Sequence, residues 1–407
     1  MHLQLAWRNL WRNPRRTAII LVAVVVGVWA MVFLGALMRG MADGMVRNAI
    51  DTLTGHIQIH QKGFRGDPVI DNRMNQPDAV VRILEKTLPP DAHWSARVRI
   101  NAIVNNARHT AGVTFVGIDP GAESAVSFIG ADAVRDGRYL RSDDANAVLA
   151  GQALVDDFET RLGHKLVVMS QDTGNEVASK AFRIKGVFEA ELEATEKGFL
   201  FVNKSAAQQM LKLGDGITEV AVMLADRKAV DAVAEDLRAA LPETYTVHTW
   251  RELLPAITGY LDIFDGFMYL WRLIIFIAMG FGIVNTLLMA VFERMREFGV
   301  LKALGMKPWW IVRGVLTESF LLLAIGLVLG NLLSLLSVWA LSGSGIDLSA
   351  FSAGTDLTGI SRIVYPVLES RDLAAANLVV FALGLLISLY PAVKAARFTP
   401  VEAMAHT

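Results

Sequence analysis

The chain of 407 residues is 53% hydrophobic and 19% charged, with 39 basic against 40 acidic residues, a formal net charge of −1 and no cysteine. Its mean hydropathy of +0.40 is too apolar for an ordinary soluble protein of this length and reads as a membrane protein. The balanced charge leaves no global basic surface for nucleic acid, and the lack of cysteine excludes disulfides, thiolate metal sites and cysteine nucleophiles.

In chain order, residues 1–16 read as an amphipathic helix lying along the inner membrane surface, with Leu3, Trp7, Leu10 and Trp11 on one face and Arg8 and Arg12 elsewhere, up to Pro14. Residues 17–38 bear no charge and are long enough to cross a hydrocarbon core of about 30 Å. A cleaved signal peptide is the rival reading, but the apolar core is too long and no small-x-small site follows Met38, which favours an uncleaved anchor. Helical spacing continues through Met38, Met41, Met45, Ala49 and Leu53, so residues 17–53 are expected to form a first span with a stalk.

Residues 54–258 contain no membrane-length run and predict a mixed α+β domain outside the cytoplasm. Ile57 and Ile59 alternate with polar residues as in a strand, 78–88 reads as a helix and 113–118 as a strand. Residues 147–168 read as a helix and then a strand, with Leu154, Val155, Phe158 and Leu162 at helical spacing and Gly163 as the stop. Strands are expected at 182–188 and 198–202. Residues 219–224, 228–241 and 245–250 then read as strand, helix and strand, a unit that returns to the early strands and leaves the middle as an inserted subdomain.

Residues 259–407 hold three further uncharged runs, 273–292, 319–346 and 373–393. Tyr260, Ile263, Phe264, Phe267 and Trp271 extend helical spacing ahead of the first of these. Arg8, Arg12, Arg15 and Arg16 before the first span, and Arg294, Arg296, Lys302, Lys307 and Arg313 between the second and third, place those flanks and both termini in the cytoplasm. Small-residue pairs permit close helix approach at Ala23 with Gly27, Ala278 with Gly282, and Gly326 with Gly330. Asn285 and Glu318 are costly polar groups at or near the bilayer, with helix-helix hydrogen bonding and an interfacial position as the plain accounts.

The segment 293–305 leaves the second span as a charged helix with Met295, Phe298, Leu301 and Leu304 on one side and Gly305 as its stop, a candidate cytoplasmic docking element. Catalytic signals are poor: there is no G-x-x-x-x-G-K-[ST], H-E-x-x-H or G-x-S-x-G. His56 and His60 share a strand face but lack a carboxylate at ligand spacing, so they read as a surface pair, and Glu189, Glu191, Glu193 and Glu196 read as a solvated loop or helix. No metal and no enzymatic role are expected.

The run Asn285-Thr-Leu-Leu-Met-Ala-Val-Phe-Glu-Arg-Met-Arg-Glu-Phe-Gly-Val-Leu-Lys-Ala-Leu-Gly305, the ending Leu389-Tyr-Pro-Ala-Val-Lys-Ala-Ala-Arg-Phe-Thr-Pro-Val-Glu-Ala403 and the opening Leu5-Ala-Trp-Arg-Asn-Leu-Trp-Arg-Asn-Pro-Arg-Arg16 resemble the ABC transporter permeases of the FtsX, MacB and LolC/LolE superfamily. The resemblance implies four transmembrane helices in a one-then-three order and a periplasmic α+β domain with a porter-like portion and an inserted subdomain. It also implies pairing with a second permease copy or a paralogue in the bacterial inner membrane, and movement of the periplasmic domain by mechanotransmission, the type VII mechanism. A separate ABC ATPase dimer, which would bind ATP and Mg, is expected to dock on Glu293, Arg294, Arg296, Glu297, Phe298, Gly299, Lys302 and Gly305, with Phe298 departing from the Ile often found there. By the same resemblance Met31, Leu34, Met38, Phe267 and Trp271 are the candidate contacts for an amphiphilic substrate, lipoprotein or lipid, handed to a possible periplasmic carrier or adaptor. Antibiotic or peptide efflux in a tripartite system is the alternative; a further one is an FtsX-like coupler that transports nothing and regulates a cell-wall hydrolase.

Overall fold

The computed structural model describes residues 6–8, 10–348 and 361–398. Leu3, Leu5 and Asn9, and residues 399–407 with the end of the C-terminal motif, lie outside the described residues. The chain forms two compact units, one of Met1–Asp43, Leu261–Asp347 and Ile363–Thr407, the other of Gly44–Tyr260 and Leu348–Arg362.

Helix α1 (Pro14–Ala49) carries the chain from the first unit into the second. It does not reach Leu53 as a regular helix. Ile50–Thr54 forms a π turn in which Leu53 adopts φ 97°, which breaks the helical path. Leu53 is 1% exposed and packs with Val116, Ile118, Phe188 and Phe201 in the core of the second unit.

That unit runs through β1 (Ile57–Gln61), α2 (Pro77–Thr87), β2 (His93–Asn105), β3 (Thr110–Ile118), α3 (Pro120–Glu123), β4 (Val134–Gly137), β5 (Ala147–Gly151), α4 (Gln152–Asp157), β6 (Lys165–Gln171) and β7 (Val177–Phe188). It continues with α5 (Glu193–Gly198), β8 (Phe199–Asn203), α6 (Lys204–Met210), β9 (Glu219–Met223), α7 (Val230–Ala240), β10 (Tyr245–Thr249) and α8 (Trp250–Leu253). The strands join in the order β10-β1-β9-β2-β3-β8-β5-β7-β4, with β6 pairing β2 and β7. β1 is antiparallel to both β10 and β9, so the late strand-helix-strand unit does return to the first strand. β2 links the two halves: residues 93–97 pair with β9, and residues 98–105 pair with β3. α2 starts with proline at a position that needs no N–H donor and buries Val80 and Leu84 one turn apart.

Several expectations need correction here. Ala147–Gly151 is a strand, buried at all five positions, because a fully covered run carries no period that separates helix from strand. The helix after it ends at Asp157, capped by Phe158; Gly163 lies in the following loop at φ +87°, and Leu162 is exposed. His56 and His60 are buried, not a surface pair. Glu196 is buried as well, its carboxylate accepting from the Ala153 and Ala190 N–H groups at 3.0 Å each.

The first unit contains α1, α9 (Pro255–Glu293), α10 (Met295–Ala303), α11 (Pro308–Leu341) and α12 (Ser370–Arg397). The segments Thr17–Thr54, Pro255–Glu293, Pro308–Leu341 and Ser370–Arg397 are long and apolar enough to cross a membrane. The third span stops at Leu341, short of the Ile346 reached by the uncharged run. Ile346–Asp347 (β11) pairs instead with Ile363–Val364 (β12).

Val24, Val28 and Met31 of α1 pack with Phe276, Met279 and Ile283 of α9, Leu322 and Leu323 of α11 and Val380 of α12. Missing Cβ atoms bring these helices together: a Cβ on Gly326 would lie 2.4 Å from Val24 Cγ1, and one on Gly330 would lie 2.7 Å from Val28 Cβ. Asn331 and Asn377 exchange amide hydrogen bonds of 2.6 and 3.3 Å between α11 and α12, which satisfies two polar side chains inside an apolar bundle.

Candidate functional site

The link between the second and third spans is set off by breaks at both ends. Arg294, at φ −101° and ψ 12°, interrupts the helical run, and Gly305, at φ +91°, ends it in a conformation that glycine adopts at little cost. Helix α10 therefore covers Met295–Ala303, not all of residues 293–305. Phe298 is buried with Val291, Ile311, Val312, Ala392 and Ala395, whereas Leu304, expected on the same face, is 80% exposed because it lies past the helix end.

The residues expected to dock an ATPase divide accordingly. Glu293, Arg296 and Gly305 are exposed and Glu297 is partly so; Phe298 and Gly299 point inward and seat the helix instead of presenting a surface. Arg294 is paired with Glu318 at 2.8 and 3.1 Å, which also gives Glu318 its place at the start of the third span. Lys302 Nζ donates to the carbonyls of Ala396 and Phe398 at 2.8 and 2.6 Å, satisfying open acceptors at the end of α12. The N-terminal segment is tied to the same link: Arg12 donates to Glu297 and Asn13 donates to Glu293 at 3.2 Å. The hydrogen bond from Arg12, helped by Arg294, holds the Glu297 carboxyl below the usual carboxylate range. Trp7 and Trp11 stand exposed in an edge contact, while Leu10 is buried in the bundle.

The candidate substrate residues are also separated. Met31 is buried in the bundle core and is not open on this chain, Leu34, Met38 and Trp271 are half-buried, and Phe267 is exposed. Met38 packs with Ala42 of α1 and with Phe264 and Met268 of α9. Beside them is a charged bridge that no sequence pattern marked. Asp372 accepts from Arg39 at 3.0 and 3.1 Å and from Arg272 at 2.6 Å, joining α1, α9 and α12.

A second polar cluster, also missed, lies in the α/β unit. Arg97 of β2 is fully buried and donates to Glu123 at 2.6 and 2.9 Å, to Glu219 at 3.1 Å and to the Leu53 carbonyl. Ser95 and Ser127 donate to Glu123 at 2.7 and 2.6 Å. Burial opposes ionisation of Glu219, but Arg99 and Arg97 outweigh it and hold its carboxyl below the ordinary range. Gln58 donates to the Leu53 and Thr54 carbonyls at 3.2 and 2.8 Å, and the Phe128 N–H donates to the Asp51 carbonyl at 2.9 Å. The segment leaving α1 is thus fixed to the domain at four of its acceptor contacts. A run in which Ser95 and Arg97 stand in a strand was the available signal, since a buried arginine needs carboxylates from elsewhere in the chain. Among the described residues no group of three or more His, Cys, Asp or Glu is arranged to hold a metal ion.

Four long apolar helices, a mixed α/β domain between the first and second, and a short, partly exposed helix between the second and third, together with matches to two family domains, make this chain an ABC transporter permease. Residues 17–240 match the MacB-like periplasmic core domain and residues 272–400 match the FtsX-like permease C-terminal domain, and the chain belongs to this FtsX/MacB-like permease family. It is similar to the lipoprotein-releasing system transmembrane protein LolC of Xylella fastidiosa, 24% identical over 403 residues, covering 94% of this chain and 92% of that protein. It is also 24% identical over 433 residues to the macrolide export ATP-binding/permease protein MacB of Marinobacter nauticus, covering 99% of this chain and 60% of that protein. The crystal structure of the periplasmic region of MacB from Actinobacillus actinomycetemcomitans aligns with 52% of the chain at a TM-score of 0.36 and 13% identity, covering 97% of that structure.

Proposed function

We propose that the chain is the membrane subunit of an ABC transporter of the bacterial inner membrane that uses ATP hydrolysis by a separate ATPase to drive its α/β domain and extract an amphiphilic substrate, lipoprotein or lipid. The observation that carries this reading is α10. It is a short helix seated by Phe298 and Gly299 and braced by Arg12 and Lys302, with Arg296 and Val300, and Leu304 just past its end, left outward as a docking surface. Support for the substrate class comes from the match, along nearly the whole of both chains, to LolC, a lipoprotein-releasing system transmembrane protein. MacB, an ATP-binding/permease protein, is covered over only 60% of its length. ATP and Mg belong, on this reading, to the partner subunits.

The internal pairing of Glu297 decides how docking is tested. Reversing its charge would release Arg12 and loosen the N-terminal segment, so loss of partner binding in that variant has two causes. Arg296→Glu and Leu304→Asp alter exposed side chains alone. Affinity purification of the full chain from its native membrane is expected to recover a Walker-A ATPase and a lipidated protein, and both variants to lose the ATPase while retaining the wild-type melting temperature. Normal ATPase recovery with both variants would remove α10 as the docking element. Recovery of a cell-wall hydrolase and no amphiphile would replace extraction with signal coupling.

A further inference from the structure

Arg313, near the α10 end of the bundle, has no acidic partner among the described residues. Arg294 faces Glu318, Arg12 faces Glu297 and Lys302 caps two carbonyls, whereas Arg313 in the second turn of α11 has only the Trp310 ring, 5.6 Å from its guanidinium carbon, and no carboxylate among the described residues. Arg313 stands at the mouth of a groove of about 510 Å³ between α11 and α12, a volume within the range of small-molecule sites. Its walls are apolar side chains, among them Leu316, Phe320, Leu385 and Leu389, and Trp309 at the rim is 66% exposed. Tryptophan and arginine at a helix end, above an aliphatic slot, match the chemistry of the boundary between headgroups and acyl chains.

We propose that this groove binds one anionic phospholipid of the leaflet on the α10 side, with its phosphate on Arg313 and an acyl chain laid along Leu316, Phe320 and Leu389. The N-terminal end of α11 adds partial positive charge next to the guanidinium. A second copy of the chain fits less well, because no carboxylate lines the groove and the same face would bring no counter-charge to Arg313. The site requires only that these helices lie in a membrane, and it needs no ATPase partner.

The full-length chain in detergent, titrated with phosphatidylglycerol or phosphatidylcholine of matched acyl chains and read by native mass spectrometry, tests the site without any transport assay. Phosphatidylglycerol is expected to bind more tightly, and Arg313→Gln to weaken it about fivefold, to the phosphatidylcholine level. Ala382→Trp, a substitution at an exposed wall position, is expected to fill the slot and weaken both lipids. Equal binding of the two lipids by the unaltered chain overturns the proposal, as does a phosphatidylglycerol preference that survives Arg313→Gln. Full competition by inorganic phosphate would show an anion site without a lipid slot and also overturn it. So would Ala382→Trp dissociating a dimer while lipid binding stays unchanged, which would make the groove a protein interface.

Discussion

Arg97 makes four hydrogen bonds with no exposed surface, two of them to one carboxylate, so removing it strands Glu123 and weakens the hold on Glu219. An uncompensated buried charge costs about 3 to 5 kcal/mol. Arg97→Met is therefore expected to lower the melting temperature of the full chain sharply, and Arg97→Met combined with Glu123→Leu to recover part of that loss by removing the stranded carboxylate. Purely additive losses in thermal melts would show that the pair is not coupled. His56 gives a separate pH signature. It accepts from the Leu224 N–H at 3.0 Å, and burial, with a smaller effect from Arg227, lowers its pKa from 6.5 to about 4. Above pH 6.5 both folded and unfolded forms are neutral and nothing is lost. As pH falls toward 4 the unfolded chain takes up a proton that the folded one refuses, so stability drops across that window. Melting temperature followed between pH 7 and pH 4 is expected to fall, less steeply in His56→Gln; an unchanged slope in that variant would assign the effect to other groups. The strand holding His60, with His56 just before it, was legible from alternation. Their burial was not, because it depends on β1 lying between β9 and β10, two strands drawn from more than a hundred and fifty residues away in the chain.

At the level of elements, legibility followed periodicity. The four apolar runs, α2, α7, β1 and β9 carry a clear period or an uninterrupted membrane length, and the structure has each of them. β2 was missed although Val98, Ile100, Ala102 and Val104 alternate and are buried, because the preceding Ser95 and Arg97 look like solvent-facing residues and are not. β5 is buried throughout and has no polar face to mark it. Helix packing was legible as a possibility only: the pair Gly326 and Gly330 is as common by chance as by need, but here both face α1. Gly330→Leu is expected to separate α11 from α1, since even a Cβ would meet Val28 at 2.7 Å, and overpacking of this kind costs about 1 to 3 kcal/mol. Gly314→Leu is the control, because a Cβ there meets nothing within 4 Å. Thermal melts in detergent should separate the two variants, and equal behaviour would mean that the contact at Val28 relaxes without cost.

For the whole molecule, the one-then-three order of spans and a stalk beyond the first of them were readable from length, charge and helical spacing, whereas the point at which that helix ends required the structure. α1 is unbroken from Pro14 to Ala49 and its residues belong to both units. Where it ends, the chain is held by Arg97, Gln58 and the Phe128 N–H. A helix held at its far end acts as a lever only while its hydrogen-bond ladder is intact. Proline at Met45 removes one rung and clashes with the preceding turn, at a local cost of about 3 kcal/mol. If α1 is the lever, Met45→Pro in the assembled complex should leave ATP hydrolysis in place and lower substrate release at least about fivefold, the lower end of ordinary coupling between sites, while Met45→Ala behaves as the unaltered chain. Loss of hydrolysis together with release would point to failed assembly at α10. Unchanged release with Met45→Pro would mean that α9, the other helix shared by the two units, carries the motion, and Phe264→Pro would then be the variant that stops it.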